Sequence, residues 1–442
     1  MMDLHARVLL AFREPGISYN RLLLPPEFMT SRKYFLLILI LGTLSAIGPF
    51  SIDMYLPGFP SIAADLNTTV ATVSLSLSSF FIGISAGQLI YGPLLDRFGR
   101  KNPLYFGLSL YILASIGCAM AGSANTLIGF RFLQAIGGCA GMVASRAMVR
   151  DIFPVNENAK IFSLLMLVVG VSPMIAPTLG GYISTSFTWH YVFIILTGFG
   201  VFVLTGVHYV LPESRKADAS FSLRPSSIFK NYFTVLTQPQ FYTYVFTGSV
   251  ASAGLYAYIS GSPYVFMELY HVSAKQYGWI FAFLAGGLIA SSQLNTLLLK
   301  RGLKSEQVVV RALICQCVAG ICLFTGAING WLGVSGMISL IFVFLCCQGF
   351  IFPNTSALSL APFTKNAGSA SALMGCIQMG IGALISAVVS YMNNHTALPM
   401  TAAMAFCPVA GFLILMVGSR VVRTRSRLEA TEERRSKLAE TV

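Results

Sequence analysis

The sequence predicts an all-α integral membrane protein: twelve transmembrane helices in two six-helix bundles, with both termini cytoplasmic. Three observations predict it. Charge is scarce: 10% of the 442 residues are Asp, Glu, Lys or Arg, 55% are hydrophobic and the mean hydropathy is +0.72. A soluble domain is about a quarter charged, so lipid has to solvate most of this surface. Apolar residues form long continuous runs, each near the about 20 residues that a membrane helix needs. Lys and Arg gather in alternate loops, which makes the net charge of +13 a marker of orientation and gives no reason to expect a nucleic-acid partner.

The spans fall at about 34–57, 69–92, 103–122, 125–149, 160–184, 189–211, 241–261, 276–299, 307–327, 332–352, 367–391 and 397–420. Closed barrels need short alternating strands, so these runs are helices. Basic residues occupy the leader (Arg7, Arg13, Arg21, Arg32, Lys33) and the loop after helix 2 (Arg97, Arg100, Lys101). They recur after helix 4 (Arg150, Lys160), helix 6 (Arg215, Lys216, Arg224, Lys230), helix 8 (Lys300, Arg301, Lys304) and helix 10 (Lys365), and in the tail from Arg420. Of the loops after odd-numbered helices, only the one near Lys275 holds a Lys or Arg. That asymmetry places both termini in the cytoplasm.

The expected organisation is a leader over 1–33, a first bundle over 34–211, a cytoplasmic central loop over 212–240, a second bundle over 241–420 and a basic tail over 421–442. Two equal halves joined by a polar loop suggest a duplicated transporter with its site between the halves. The apolar stretch 8–12 is too short to span, and no cleavage site follows helix 1, so no cleaved signal peptide is expected. The sequence leaves the translation start open between Met1, Met2 and Met29; a start at Met29 would make 1–28 a dispensable or misassigned leader. All nine cysteines lie in apolar spans, where Cys acts as a small hydrophobe. No metal-ligand spacing, phosphate loop or nucleophile–base pair is present, so neither metal, cofactor nor enzyme activity is expected.

The segment Gly92-Pro-Leu-Leu-Asp96-Arg97-Phe-Gly99-Arg100-Lys101 joins helices 2 and 3. Glycines permit a tight turn there, and Asp96 would lie near the positive start of helix 3. A basic cytoplasmic loop with turn glycines accounts for part of the string only. The whole closely resembles the cytoplasmic signature of the major facilitator superfamily. The resemblance implies the major facilitator fold and a loop that latches helix 2 against helix 11. It also implies that the arginine pairs with an acid at the inner end of helix 4, here Asp151. Gly92, Asp96, Arg97, Gly99, Arg100, Lys101 and Asp151 are therefore expected at a cytoplasmic gate.

In helix 4, Arg131, Gln134, Gly138, Gly141 and Ser145 recur at helical spacing, which makes one face polar and small. Arg131 lies about two turns inside the outer end, where an unpartnered cation is costly. This resembles the second signature of the superfamily, whose arginine is linked to proton movement; Gln134 and Gly138 belong to the same match. Asp53, about one to two turns from the outer end of helix 1, comes out at similar depth and is the expected partner of Arg131. Burial and a nearby cation act on a carboxylate in opposite senses, so Asp53 is placed to change protonation. The alternative is that Asp53 merely caps a helix end in water.

Helix 5 carries Gly170, Pro173, Pro177, Gly180 and Gly181, which should give a smooth, kinked face. In the superfamily a Gly/Pro signature here marks antiporters; Ser172 stands before Pro173 where glycine is common. The segment 51–57, the string Arg146-Ala-Met-Val-Arg150-Asp151, Trp189-His190 and Leu211-Pro-Glu213 together resemble the bicyclomycin- and chloramphenicol-resistance type of proton-coupled drug exporter. That resemblance is weaker in the second half, where 295–302 retains only Lys300, Arg301 and Gly302 of the loop signature.

Tyr256, Gln348, Asn354 and Gln378 are candidates for a substrate cavity, since aromatic and uncharged polar groups suit amphiphilic ligands. Such aromatics equally suit lipid packing. In helix 11, Gly368, Ala372, Gly375 and Gly382 suggest close packing against Gly83 and Gly87 of helix 2. The reading is an inner-membrane antiporter, acting as a monomer in the lipid bilayer, that exports small amphiphilic drugs or toxic metabolites in exchange for protons. The alternatives are an uptake or metabolite transporter on the same fold and, less in keeping with the residues, a multispan enzyme or sensor.

Overall fold

A computed structural model describes residues 31–218, 225–363 and 367–440, and all regular structure among them is helical. The residues before Ser31, with the alternative start at Met29, lie outside the described residues, as do Arg224 and Lys365. Twelve long helices follow in order: α1 Ser31–Asp53, α2 Val70–Phe98, α3 Lys101–Ala119, α4 Ala124–Ile152, α5 Val155–Ser186 and α6 His190–Tyr209, then α7 Pro239–Pro263, α8 Ala274–Lys300, α9 Ser305–Ile328, α10 Val334–Leu360, α11 Ala367–Tyr391 and α12 Leu398–Glu440. The last three residues of the expected leader, 31–33, already belong to α1. The central polar stretch holds a further helix, Pro225–Leu236. On it Phe229 and Phe233 are exposed one turn apart while Tyr232 and Val235 are buried, the division expected of a helix lying along a membrane interface.

Eleven described helices are long and apolar enough to cross a membrane. The remaining long helix, α7, is too polar to qualify, and its packing explains why. It is buried almost along its whole length and packs on α10, α11 and α12. A helix that meets protein on most sides needs little hydrocarbon surface. The lipid-facing positions lie elsewhere, where Leu113, Phe202, Leu384 and Phe406 stand more than half exposed.

The two halves repeat one packing plan. α1 packs on α4, α5 and α6, α2 on α4, and α3 on α4 and α6. Six helices later, α7 packs on α10, α11 and α12, α8 on α10, and α9 on α10 and α12. The halves meet along two symmetry-related seams, α2 with α11 and α5 with α8. In the first seam Ser78 Oγ lies 2.8 Å from Ser386 Oγ, and Ser85 Oγ donates to the Cys376 carbonyl at 2.9 Å. Gly375 abuts Gln88 of α2, but Gly83 and Gly87 face Ala135 and Cys139 of α4 and not α11. Their small surface lets α4 sit against α2, which corrects the pairing expected from spacing.

Local chemistry fixes the helix ends. Thr69, Ser123 and Ser273 cap α2, α4 and α8 by accepting from a backbone N–H in the first turn. Gly99, after α2, has φ +80°, and the symmetry-related Gly302, after α8, has φ +90°. Side chains with a Cβ are strained at such angles, so the glycine of the weakened second loop is kept for a backbone reason.

Candidate functional site

The ends of the bundle differ. The end bearing residues 99–101 is called the loop face below, and the other the far face. A cavity of about 440 Å³ lies at the loop face, while a cleft at the far face, near Ser74, Ser260 and Asn393, holds only about 20 Å³. The larger volume is of a size for small-molecule binding.

Near the far face, Arg131 is fully buried. Its Nη1 donates to Gln134 Oε1 at 2.5 Å and its Nη2 to the Ser51 carbonyl at 2.9 Å. Gln134 Nε2 in turn donates to Ser115 Oγ at 2.7 Å. The guanidinium lies between the rings of Phe80 and Tyr55, 4.1 and 4.3 Å from their centroids, with Phe193 at 5.8 Å. Cation–π contact and hydrogen bonds to oxygen thus offset the loss of water. The Nε proton makes no hydrogen bond among the described residues. Gly138 sits one turn further along the same face, where a Cβ would meet Ile47 of α1.

Asp53 is 4% exposed and is not the ion-pair partner of Arg131. Among the described residues its carboxylate makes no hydrogen bond or ion pair, and Arg131 spends its bonds on Ser51 and Gln134. The two residues share a depth but not a direction. The short turn that follows Asp53, Leu56–Gly58, packs on α5 and, across the halves, on α8. Nearby on the other half, Tyr277 of α8 shares a hydrogen bond with Ser262 of α7 at 2.8 Å, whereas the buried Tyr258 hydroxyl on α7 makes none among the described residues. Asp53 therefore ends α1 at the seam between halves, in the sealed end of the molecule.

The helix-5 residues lie at the same seam. A Cβ on Gly180 would overlap the Met54 carbonyl, and one on Gly181 would press on the Ala274 carbonyl of α8. Thr178 Oγ1 donates to the Gly278 carbonyl at 3.4 Å, and Gly278 abuts the carbonyl of Pro177. Further along α5, Gly170 faces Ile289 of α8. Pro173 and Pro177 are accommodated inside α5. Small residues thus allow the backbone after Asp53 to touch α5, and α5 to touch α8.

At the loop face, Arg100 is 4% exposed and joins two acids. Its Nε donates to Asp151 at 2.7 Å and its Nη1 to Asp96 at 3.0 Å; Arg215 adds a second bond to Asp96 at 3.0 Å. Burial pulls the Arg100 pKa down, but the hydrogen bond and charge of Asp151, then those of Asp96, leave it above its ordinary value. Gly92, Asp96, Arg100 and Asp151 all line the cavity. Lys101 Nζ donates to the Leu211 carbonyl at 2.9 Å, and Arg97 Nη1 approaches the Asp218 carbonyl at 3.5 Å. The acids paired with the Arg100 side chain, Asp96 and Asp151, both belong to the first half, so in this state its ion pairs do not latch α2 to α11.

Glu213, outside the set of expected gate residues, completes the loop. Its carboxylate accepts the backbone N–H groups of Arg100 at 2.7 Å and Lys101 at 3.0 Å. The anion at the start of α3 is thus Glu213, a role the sequence suggested for Asp96. The only sequence signal was Glu213's place in the Leu211-Pro-Glu213 string.

The four candidate substrate residues do not line the loop-face cavity. Tyr256 packs edge-on against Phe81 across the halves, with centroids 4.9 Å apart. Gln348 accepts from Gln316 and donates to Ser252, and Asn354 donates to Asn295 at 2.7 Å. Gln378 is buried in α11. Gln348 on α10 thus joins α9 and α7, as the Arg131–Gln134 pair on α4 joins α3 and α1. Among the described residues no three His, Cys, Asp or Glu side chains converge to hold a metal ion.

Comparison with known proteins agrees with this architecture. The family model of the Major Facilitator Superfamily matches residues 39–387. An uncharacterized transporter of that type, YdgK of Bacillus subtilis (strain 168), is 35% identical over 390 residues, covering 87% of this chain and 95% of its own length. A bicyclomycin resistance protein homolog of Haemophilus influenzae is 32% identical over 379 residues, covering 86% and 95%. The multidrug resistance protein MdtL of Escherichia coli O139:H28 is 31% identical over 334 residues, covering 75% and 82%. Among solved structures, a D-xylose–proton symporter superposes with a TM-score of 0.69 at 12% identity, covering 86% of this chain and 97% of its own. A bacterial homologue of the lysosomal transporter Spinster, inward-facing and occupied, gives 0.63 at 15% identity, covering 90% and 97%. These two likenesses concern the fold alone. The chain is a multi-pass membrane transporter, not an enzyme, and belongs to the Major Facilitator Superfamily.

Proposed function

We propose that the protein is a proton-coupled antiporter of the bacterial inner membrane, exporting small amphiphilic drugs or toxic metabolites by alternating access. The observation that carries this reading is Asp53: a buried carboxylate that makes no hydrogen bond or ion pair among the described residues, at the sealed far-face seam. An intramembrane acid with nothing to neutralise it is suited to carrying a proton. Arg131 acts through the backbone, tying the carbonyl two residues before Asp53 to α4. The relatives named for drug resistance support export as the direction.

The Lys and Arg distribution supports a cytoplasmic loop face, with both termini on that side. The cavity then takes substrate from the cytoplasm. Opening of the α5–α8 seam at the far face exposes Asp53 to the outside, where it takes up a proton as substrate leaves. Closure carries the proton inward. The two six-helix halves, 34–211 and 241–420, rock as units joined by 212–240, and one copy of the chain suffices.

The test is transport in proteoliposomes under an imposed pH gradient, with a drug-susceptibility panel in an efflux-deficient host. The wild type should drive export down the proton gradient, and Asp53→Asn should abolish it while remaining folded. Full gradient-dependent export by Asp53→Asn would remove the carrier role. Gradient-driven accumulation in the opposite direction would make the protein an uptake transporter on the same fold.

A further inference from the structure

The charges lining the loop-face cavity do not balance. Arg100, Arg146, Arg150 and Arg215 contribute to its wall, against Asp96 and Asp151. Both acids are already engaged: Asp151 accepts from Arg100, and Asp96 accepts from Arg100 and Arg215. Arg146 is half-buried and, among the described residues, makes no hydrogen bond or ion pair. Arg150 is exposed; its guanidinium has the Phe162 ring at 6.0 Å but no described acid. The two lie one turn apart on α4, an arrangement of like charges that disfavours the helix. Opposite them, the first turn of α11 brings Gly368, Ser369 and Ser371 to the wall, and a helix start adds further positive potential. Among the described residues, no atom lies within 4 Å of where a Cβ on Gly368 would stand.

We propose that Arg146, with Arg150 beside it, binds an anionic group (a carboxylate or a phosphate) on the transported compound. A planar guanidinium presents paired donors that match the oxygens of either group. The serines at the start of α11 supply neutral donors across the cavity, and its remaining volume takes the apolar part of the molecule. The substrate class is then an amphiphile with one negative head. This rests on the reading of the chain as an exporter of small amphiphiles and adds the charge of the substrate to it.

The test uses the full chain in phosphatidylcholine nanodiscs and three matched probes: phenylbutyrate, phenylbutyl phosphate and neutral phenylbutyramide. Calorimetry should show both anions binding at least about tenfold more tightly than the amide, as expected for a charge-assisted contact. Arg146→Gln should bring the anions down to the level of the amide, and Arg146→Lys should restore part of the difference. In the wild type, phenylbutyrate should protect Arg146 from phenylglyoxal, read by peptide mapping, which holds even if a variant fails to fold. Equal binding of amide and anions, unchanged anion binding by Arg146→Gln, or no protection of Arg146 would each overturn the proposal. Displacement of phenylbutyrate by added phosphatidylglycerol would also overturn it, since the site would then belong to a lipid headgroup. Export of neutral compounds without anion preference defeats this proposal alone. Absence of any gradient-driven transport defeats the exporter reading and leaves the binding result standing.

Discussion

Arg131 Nη2 donates to the backbone carbonyl of Ser51 at 2.9 Å, so the fully buried cation of α4 is tied to the last turn of α1 through the main chain. The carbonyl it holds lies two residues beyond Pro49, which interrupts the α1 ladder. Arg131 thus stabilises the turn that presents Asp53. Arg131→Lys keeps the charge but loses the planar contact with Tyr55 and Phe80 and one of the two donated bonds. We expect it to fold with a lowered Tm and to transport at least about tenfold more slowly. Arg131→Met should cost about 3 kcal/mol, because Gln134 Oε1 and the Ser51 carbonyl both lose a charged donor. Thermal unfolding in detergent alongside initial transport rates separates the two effects.

Tyr258 and Tyr277 form a matched pair for probing the α7–α8 side of the far face. The Tyr258 hydroxyl is buried and makes no hydrogen bond among the described residues, whereas that of Tyr277 shares one with Ser262. Tyr258→Phe should therefore leave stability unchanged or raise it slightly, by up to about 1 kcal/mol, since an orphaned polar group is removed. Tyr277→Phe should lower stability by about 1 kcal/mol, since Ser262 loses its partner. Equal losses in both variants, read from thermal unfolding, would mean that Tyr258 is also hydrogen-bonded.

The spans were legible because hydrocarbon imposes a length on every apolar run, and even α7, too polar by hydropathy, was bounded by its flanking prolines and polar residues. Asp53 and Arg131 were legible as the rare charges within the membrane. Their separation was not. Counting residues along two helices gives depth, while the direction of a side chain depends on how each helix is rotated. The same limit hid the partner of Gly83 and Gly87: a small face says that something comes close, not which helix. The cap supplied by Glu213 reaches across 113 residues to Arg100, with no local pattern to mark it.

Glu213 makes a prediction of its own. It accepts two backbone N–H groups at the start of α3, where Gly99 turns the chain at φ +80°. Because Glu213 is exposed, solvent weakens the charge term, and Glu213→Gln should cost only about 0.5–1.5 kcal/mol. Its effect should be local: faster hydrogen exchange at residues 99–103 and little change in α7–α12. A global loss of protection would assign Glu213 a wider structural role.

Gly181 supplies the sharpest test of how the far face closes. A Cβ there would press on the Ala274 carbonyl of α8, across the seam between the halves, at 2.6 Å, and carbonyl oxygens of a packed turn cannot step aside as a flexible side chain can. Gly181→Ala should therefore penalise the state with a sealed far face by about 1–3 kcal/mol, enough to shift a two-state population by about fivefold or more. Gly170 offers the control: a Cβ at that position meets Ile289 at an ordinary 3.6 Å, so Gly170→Ala should be tolerated. Cysteine reporters at Ser74 in the far-face cleft and at Ser371 in the loop-face cavity read the shift. In Gly181→Ala, labelling at position 74 should rise and labelling at position 371 should fall, while Gly170→Ala leaves both unchanged. If Gly181→Ala left labelling at both positions unchanged, contact between α5 and the start of α8 would not control far-face closure.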